Sequence, residues 1–451
     1  MSLIKQKVAA VLAGAALSLA GFSAPAHAAD AFPADCPQTI TCVVVPAAHT
    51  ANSGIDDYGN YDKADRPNDM KINSIVVHDT EGTLQQVLDA FKDPAFYSSA
   101  QYVVGPDGTV YQMVQNKDVP WHAGNWWYNM HSIGIEHVGH AATGGTDYTA
   151  AMYKSSAELV KYLTAKYDIP RDRQHILGHD NVPAQKTASI AGMHTDPGPF
   201  WNWQKYMSLI GAPLNVGDVR LNGNMVTIAP QWDTNKQTVT GCWNNACAPT
   251  GTQPTNFINL RTEPSNNAPL LTDSVLGQGN NSFTNTASRV FYGQTLAQSG
   301  KPKITKSGVW FQVWASGNKG WFFCPFASPN AMPTSGKFVT PKAGLASIPV
   351  YGRPSPELSA YPAGLLDSSP ASFWIPGQAP TAPLSYTIPA GQRYKVISTD
   401  VPNDHYYSWS LTHDQAQFPH DGEIFQGNTK FVQIQYGNRI GFVKESDITI
   451  G

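Results

Sequence analysis

Residues 72–92 read INSIVVHDTEGTLQQVLDAFK, and the fold is decided there. Ile72 to Val77 is a short apolar run fit for a buried strand. Leu84, Val87, Leu88 and Phe91 then fall at i, i+3, i+4 and i+7, which is one face of a helix. Working outward, Tyr102-Val103-Val104 and Thr109 to Val114 flank Gly105-Pro106-Asp107-Gly108, a hairpin signal. Ile133 to Val138 reads as another strand. Met152, Leu159, Val160, Leu163 and Tyr167 mark a longer helix that ends before Ile169-Pro170. Strands and helices intermix throughout, so the spacing predicts an α/β domain over residues 71–213.

Residues 29–70 are mixed and polar and read as an extended lead-in wrapped on that domain. After 213 the helical period stops. Short alternating runs between Gly, Pro and Asn turns predict two small all-β barrels, 214–328 and 343–451, with 329–342 as the linker. An internal repeat supports the pair. Leu260 to Ser265 echoes Tyr351 to Ser355, and Phe311-Gln312-Val313 with Gly320-Trp321 echoes Val432-Gln433-Ile434 with Gly441-Phe442. The spacing from Pro264 to Gly320 is 56 residues and from Pro354 to Gly441 it is 87. The second copy therefore needs about 31 extra residues, expected within 362–390.

Residues 1–28 read as a secretory leader: Lys5 and Lys7 start it, Val8 to Phe22 is its apolar stretch, and Ala26-His27-Ala28 is an A-x-A cleavage site. The competing reading is a retained anchor, for which the apolar stretch is short. No second stretch qualifies, so the mature protein is expected to be exported and monomeric, with no integral membrane segment. At 41% apolar and 14% charged residues the chain is too apolar for a disordered protein. Leader removal leaves 28 basic residues against 33 acidic, with no basic stripe, which argues against a nucleic-acid partner. Export permits disulfides. Cys36/Cys42 and Cys242/Cys247 are each spaced to close a small loop, and Cys324 is left over, expected buried in Trp321-Phe322-Phe323-Cys324. No C-x-x-C supports a cysteine metal site.

Eight of the 13 histidines lie between 78 and 194, which points the chemistry to this domain. For any one of them, surface or satisfied core is the ordinary reading. Three positions stand out by context. His78 ends the strand Ile75-Val76-Val77, and His179 follows Ile176-Leu177-Gly178 in the same way. Asp196 sits in His194-Thr195-Asp196-Pro197-Gly198-Pro199, a rigid turn that can hold a carboxylate still. Two neutral imidazoles and one carboxylate make a catalytic zinc set with a fourth position open for water. There is no H-E-x-x-H, and the gaps are 101 and 17 residues.

Several segments, in order, then carry a resemblance: Val76-Val77-His78-Asp79-Thr80, Gln101 to Gly108, Trp121-His122-Ala123-Gly124, Ser132 to Glu136, Gly178-His179-Asp180 and Thr195 to Pro199. The run from about 72 to 207, about 30% of the chain, resembles the zinc-dependent N-acetylmuramoyl-L-alanine amidases of the type-2 family, related to peptidoglycan recognition proteins. The resemblance implies a mixed central sheet flanked by helices, peptidoglycan as substrate, and one zinc ion held by His78, His179 and Asp196. It places the catalytic carboxylate on Glu136. It departs at Gln101 and at His194, where many relatives carry His and Lys. His194 is expected to donate to the oxyanion. Trp121, His122, Tyr102 and Trp126 are expected to line the substrate cleft, although the Trp121, Trp126, Trp127 group fits a core equally well. The C-terminal repeats resemble bacterial SH3-like modules, which implies wall binding separable from catalysis near residue 213. The function implied is a secreted amidase cleaving between N-acetylmuramic acid and L-alanine. The rivals are a non-catalytic peptidoglycan-binding protein and a zinc peptidase acting within the stem peptide.

Overall fold

In a computed structural model the Ile72–Val77 run supplies an inner strand of a mixed six-stranded sheet. The structure describes residues 32–52, 59–217, 219, 221–243, 246–363, 365 and 382–451, with the side chains of 242–247 outside it. The leader and the Cys242/Cys247 pairing lie outside the described residues and side chains. In chain order the first part contains β1 (Cys42–Val44), β2 (Tyr61–Asp62), β3 (Ser74–Val77), α1 (Leu84–Lys92), β4 (Tyr102–Val104), β5 (Val110–Gln112), β6 (Val119–Pro120), α2 (Trp126–His131), β7 (Ser132–His137), α3 (Ala150–Lys166), β8 (Ile176–Gly178) and α4 (Trp203–Ile210).

The sheet order is β1-β5-β4-β7-β3-β8, with β4 and β5 antiparallel and every other pair parallel. Strand β3 has helices packed over its sheet and is buried along its whole length, which is why Ile75, Val76 and Val77 are all apolar rather than alternating. Helix α1 starts where Thr83 and Gln86 close a capping box, and it turns Val87, Leu88 and Phe91 into the core. The lead-in is part of the sheet: β1 adds to the β5 edge, and a Cys36–Cys42 disulfide ties its start.

After Ile210 the described residues contain strands and short 3-10 turns but no α-helix. The repeat has a structural counterpart. Met225–Ile228 lies between Thr295–Ala297 and Ala331–Thr334, and Phe338–Pro341 lies between Tyr394–Ser398 and Ile448–Ile450. Arg261 bridges Trp321 in the first copy, and Tyr351 bridges Phe442 at the equivalent place in the second. Two expectations change. The 329–342 stretch is no free linker, because Ala331–Thr334 and Phe338–Pro341 each complete one copy's sheet. The extra length falls chiefly at residues 399–430, where the first copy has only 298–307, rather than within 362–390.

That insertion carries the hairpin Asp404–Tyr407/Glu423–Gln426, and it docks on α2. Trp126 Nε1 donates to the Tyr406 carbonyl and Trp127 Nε1 to the Pro402 carbonyl, while His131 Nε2 meets Asp404 Oδ1 at 2.8 Å. A Cβ on Gly352 would stand 1.8 Å from the Ala184 carbonyl oxygen, so only glycine allows this approach. The first copy docks on the other side: Asn256 donates to the carbonyls of Gly198, Pro199 and Trp201. Phe200 packs with Phe257, Phe283 and Phe291. Cys324 is buried and unpaired.

Candidate active site

The parallel register β7-β3-β8 pairs Val77 with Ile135 and with Gly178. One residue further on, this sets Glu136, His78 and His179 side by side at the carboxyl ends of three adjacent strands. Ligand sites of α/β sheets form at that edge. The turn after His194 brings Asp196 to the same place. Asp196 Oδ2 lies 3.2 Å from His78 Nδ1, and Oδ1 lies 3.1 Å from His179 Nδ1. One donor atom from each of His78, His179 and Asp196 fits within 4.8 Å of the others, and all three residues are buried. Neither His179 ring nitrogen has a hydrogen-bond partner of good geometry. Burial pushes His179 down to about 3, against the charge of Asp196, so the ring is neutral and offers a lone pair.

Behind His78 runs a chain that fixes its tautomer. His78 Nε2 and His122 Nδ1 are 2.9 Å apart, His122 Nε2 is 3.3 Å from Ser132 Oγ, and the Ser132 hydroxyl donates to the Tyr128 carbonyl. The serine's one proton is spent there, so Oγ accepts from His122 Nε2–H. Burial, then the neighbouring His78, hold His122 well below the ordinary histidine range, so it is neutral and its Nδ1 accepts. His78 therefore carries its proton on Nε2 and turns the bare Nδ1 toward Asp196. A Cβ on Gly134 would come within 2.6 Å of the His122 ring, so glycine makes room for this chain.

Glu136 is partly buried, and its Oε2 has no partner. Burial first, then the charge of Asp196, raises its pKa well above the glutamate value. His194 stacks on His179 at 4.5 Å between ring centroids, with 63% of its side chain exposed and Nδ1 3.4 Å from Asp196 Oδ1. Desolvation would lower its pKa; the hydrogen bond to Asp196 and the charges of Asp196 and Glu81 together outweigh this and raise it. At the two departures from the family pattern, His194 faces solvent beside the ligand set, and Gln101 is buried with Oε1 accepting from the Gly134 N–H.

The cleft residues fare differently. Tyr102 has no exposed surface, and its hydroxyl donates to the Asp35 carbonyl. Trp126 is 3% exposed under the 399–430 insertion, and His122 is 7% exposed behind His78. None of these three offers a free face to a substrate. Trp121 is half-buried, and its Nε1 donates to Asp62 Oδ2. Sequence reasoning passed over Asp79, whose carboxylate accepts from the Tyr148 hydroxyl at 2.6 Å, and Glu81, which burial raises to about 7. Their nearness to His78 in the chain was the available signal.

A family model described as N-acetylmuramoyl-L-alanine amidase matches residues 68–199. The chain is 32% identical over 149 residues to N-acetylmuramoyl-L-alanine amidase A of Achromobacter lyticus, covering 30% of this chain and 82% of that protein. It is 31% identical over 118 residues to 1,6-anhydro-N-acetylmuramyl-L-alanine amidase AmpD of Citrobacter freundii, covering 25% of this chain and 57% of that one. A solved structure of a selenomethionine AmpD derivative aligns with 26% identity and a TM-score of 0.28, over 38% of this chain and 94% of that chain.

Proposed function

The chain belongs to the N-acetylmuramoyl-L-alanine amidase family and is a peptidoglycan amidase, and from that premise we propose that His78, His179 and Asp196 hold one zinc ion while Glu136 serves as general base in cleaving the bond between N-acetylmuramic acid and L-alanine. The observation that carries this reading is the convergence of two buried imidazoles and a carboxylate within 4.8 Å. The donor set suits zinc, and the His179 nitrogen that faces the other two ligands, left without a well-aligned hydrogen bond in a buried site, is costly unless a cation takes it. Held by these three residues, zinc would supply Lewis acidity toward the scissile carbonyl and would make a water more acidic. Glu136 accepts the proton of the attacking water and passes it to the departing alanine nitrogen. The burial that raises its pKa makes it the stronger base. His194, exposed on the outer side of His179, donates to the developing oxyanion.

The same reading takes residues 1–28 as a cleaved leader, so that a monomer acts outside the cell membrane. It takes the two β units as SH3-like modules that bind wall peptide or glycan. Mass spectrometry of digested wall tests the central claim. Intact stem peptides with N-terminal alanine are expected, lost on chelation and restored by zinc. Cuts within the stem would make the protein a peptidase, and wall binding without any cut would make it a binding protein.

A further inference from the structure

The second β unit ends its long hairpin, Phe431–Gln435/Ile440–Lys444, in a four-residue turn at 436–439. The equivalent hairpin of the first unit turns through only Ser316 and Gly317. The longer turn reaches the segments that carry the metal ligands. The Arg439 guanidinium donates through one nitrogen to the carbonyls of Val182 at 2.6 Å and His179 at 3.4 Å, and through the other to His194 at 2.9 Å. Next to it, the Asn438 carbonyl accepts from Asn181 Nδ2 at 3.1 Å and from Gln294 Nε2 at 2.7 Å. Asn438 Nδ2 donates to the Asp180 carbonyl at 3.4 Å. One planar cation thus spans the loop that bears His179 and the segment that leads to Asp196.

We propose that Arg439 is a positioning residue of the metal centre, locking the His179 and Asp196 segments in one relative placement from a β unit that lies outside the matched amidase region. The Asp180 N–H donates to the Asp196 carbonyl at 2.8 Å and ties the two segments once. Arg439 adds a second tie, from the Val182 and His179 carbonyls to that of His194, which fixes their relative angle as well as their spacing. A guanidinium with donors in a fixed fork does this better than a single ammonium. Outer partners of this kind set metal affinity by fixing ligand orientation. The proposal rests on the zinc reading, and the experiment separates the two.

The full chain is loaded with Co2+ in place of zinc, and Arg439→Met, Arg439→Lys and the control Arg393→Met are compared with it. Arg393 lies over the Phe338 ring, within the same β unit. The readouts are the Co2+ visible spectrum, metal affinity by chelator competition, kcat and KM on a soluble muropeptide, and the melting temperature. Arg439→Met is expected to lose about 10- to 100-fold in metal affinity, with an altered spectrum and a lower kcat at similar KM. Arg439→Lys should recover part of both, and Arg393→Met should match wild type. Wild-type affinity and spectrum in Arg439→Met overturn the proposal. So does a loss that Arg393→Met reproduces, which would be a general weakening of the β unit. If Arg439→Met does not fold, Arg439→Lys decides by the same two readouts. A wild-type chain that binds neither Co2+ nor zinc sinks the metal reading itself, before any Arg439 variant is compared.

Discussion

His122 stands behind His78 rather than beside the substrate, and its removal distinguishes those two roles. His122→Leu leaves the His78 Nε2–H unpaired and frees the ring to turn. Metal affinity is then expected to fall about 10- to 100-fold by chelator competition, with KM for a soluble muropeptide unchanged. A raised KM at intact metal affinity would put His122 in the substrate cleft instead. Removing a ligand outright is harsher. His78→Ala or His179→Ala should cost zinc and activity together, because three protein ligands are the minimum for such a site. Full zinc by elemental analysis in either variant would show the wrong ligands were chosen. Glu136→Gln should keep zinc and fold and lose roughly 10²–10⁴-fold in kcat. A variant within about threefold of wild type would remove Glu136 from the mechanism.

At the scale of elements, what the sequence discloses depends on how far its signal reaches. Strand β3 and helix α1 are legible because periods of buried strand and helix face are local, and the capping box at Thr83 is four residues wide. The ligand set is partly legible, since two apolar strands that end in histidine deliver those side chains to one sheet edge. Helix α2 gives no such signal. It has six residues, all buried, so no polar face marks its turn. Trp126 and Tyr102 read as cleft residues because their covers, the 399–430 insertion and the lead-in, are distant in sequence; Tyr406, which accepts from Trp126, is 280 residues on. A second seam inside the β region has a pH signature. Glu357 accepts from the backbone N–H groups of Asn428 and Thr429 and from the Thr429 hydroxyl. These bonds, the Asn428 N–H first, lower its pKa from 4.5 to about 2. A depressed carboxylate contributes stability above its unfolded value and loses it as pH falls through its folded one. Glu357→Gln should therefore be less stable than wild type above about pH 4.5, and the gap should close between there and about pH 2. Solvent screening keeps the gap well below the full linkage value. Urea midpoints across that range check it, and a gap independent of pH would mean the carboxylate charge is not what holds the seam.

For the molecule as a whole, the arrangement of the β units decides whether the amidase part stands alone. The repeat and the loss of helical period suggest modules on tethers, which raise local concentration at the wall and leave the chemistry untouched. The structure instead wraps them onto the catalytic part from two sides. Trp127 is buried with Tyr128 and Val182 against Tyr351, Phe431, Ile440 and Phe442. Phe200, next to the Asp196 turn, is buried against Phe257, Phe283 and Phe291. Ending the chain near residue 213 would bare both surfaces. Truncating one buried aromatic side chain costs about 3–5 kcal/mol, so losing the cover of several is expected to exceed the whole stability of a small domain, about 5–15 kcal/mol. It would also cut away Asn256 and Arg439, which hold the carbonyls around the ligands. The truncated chain is thus expected to melt well below the intact one and to lose most of its activity on soluble muropeptides, not only on intact wall. Calorimetry and a soluble-substrate assay on the two chains, side by side, test this. Equal melting and equal soluble activity would return the β units to the role of tethers.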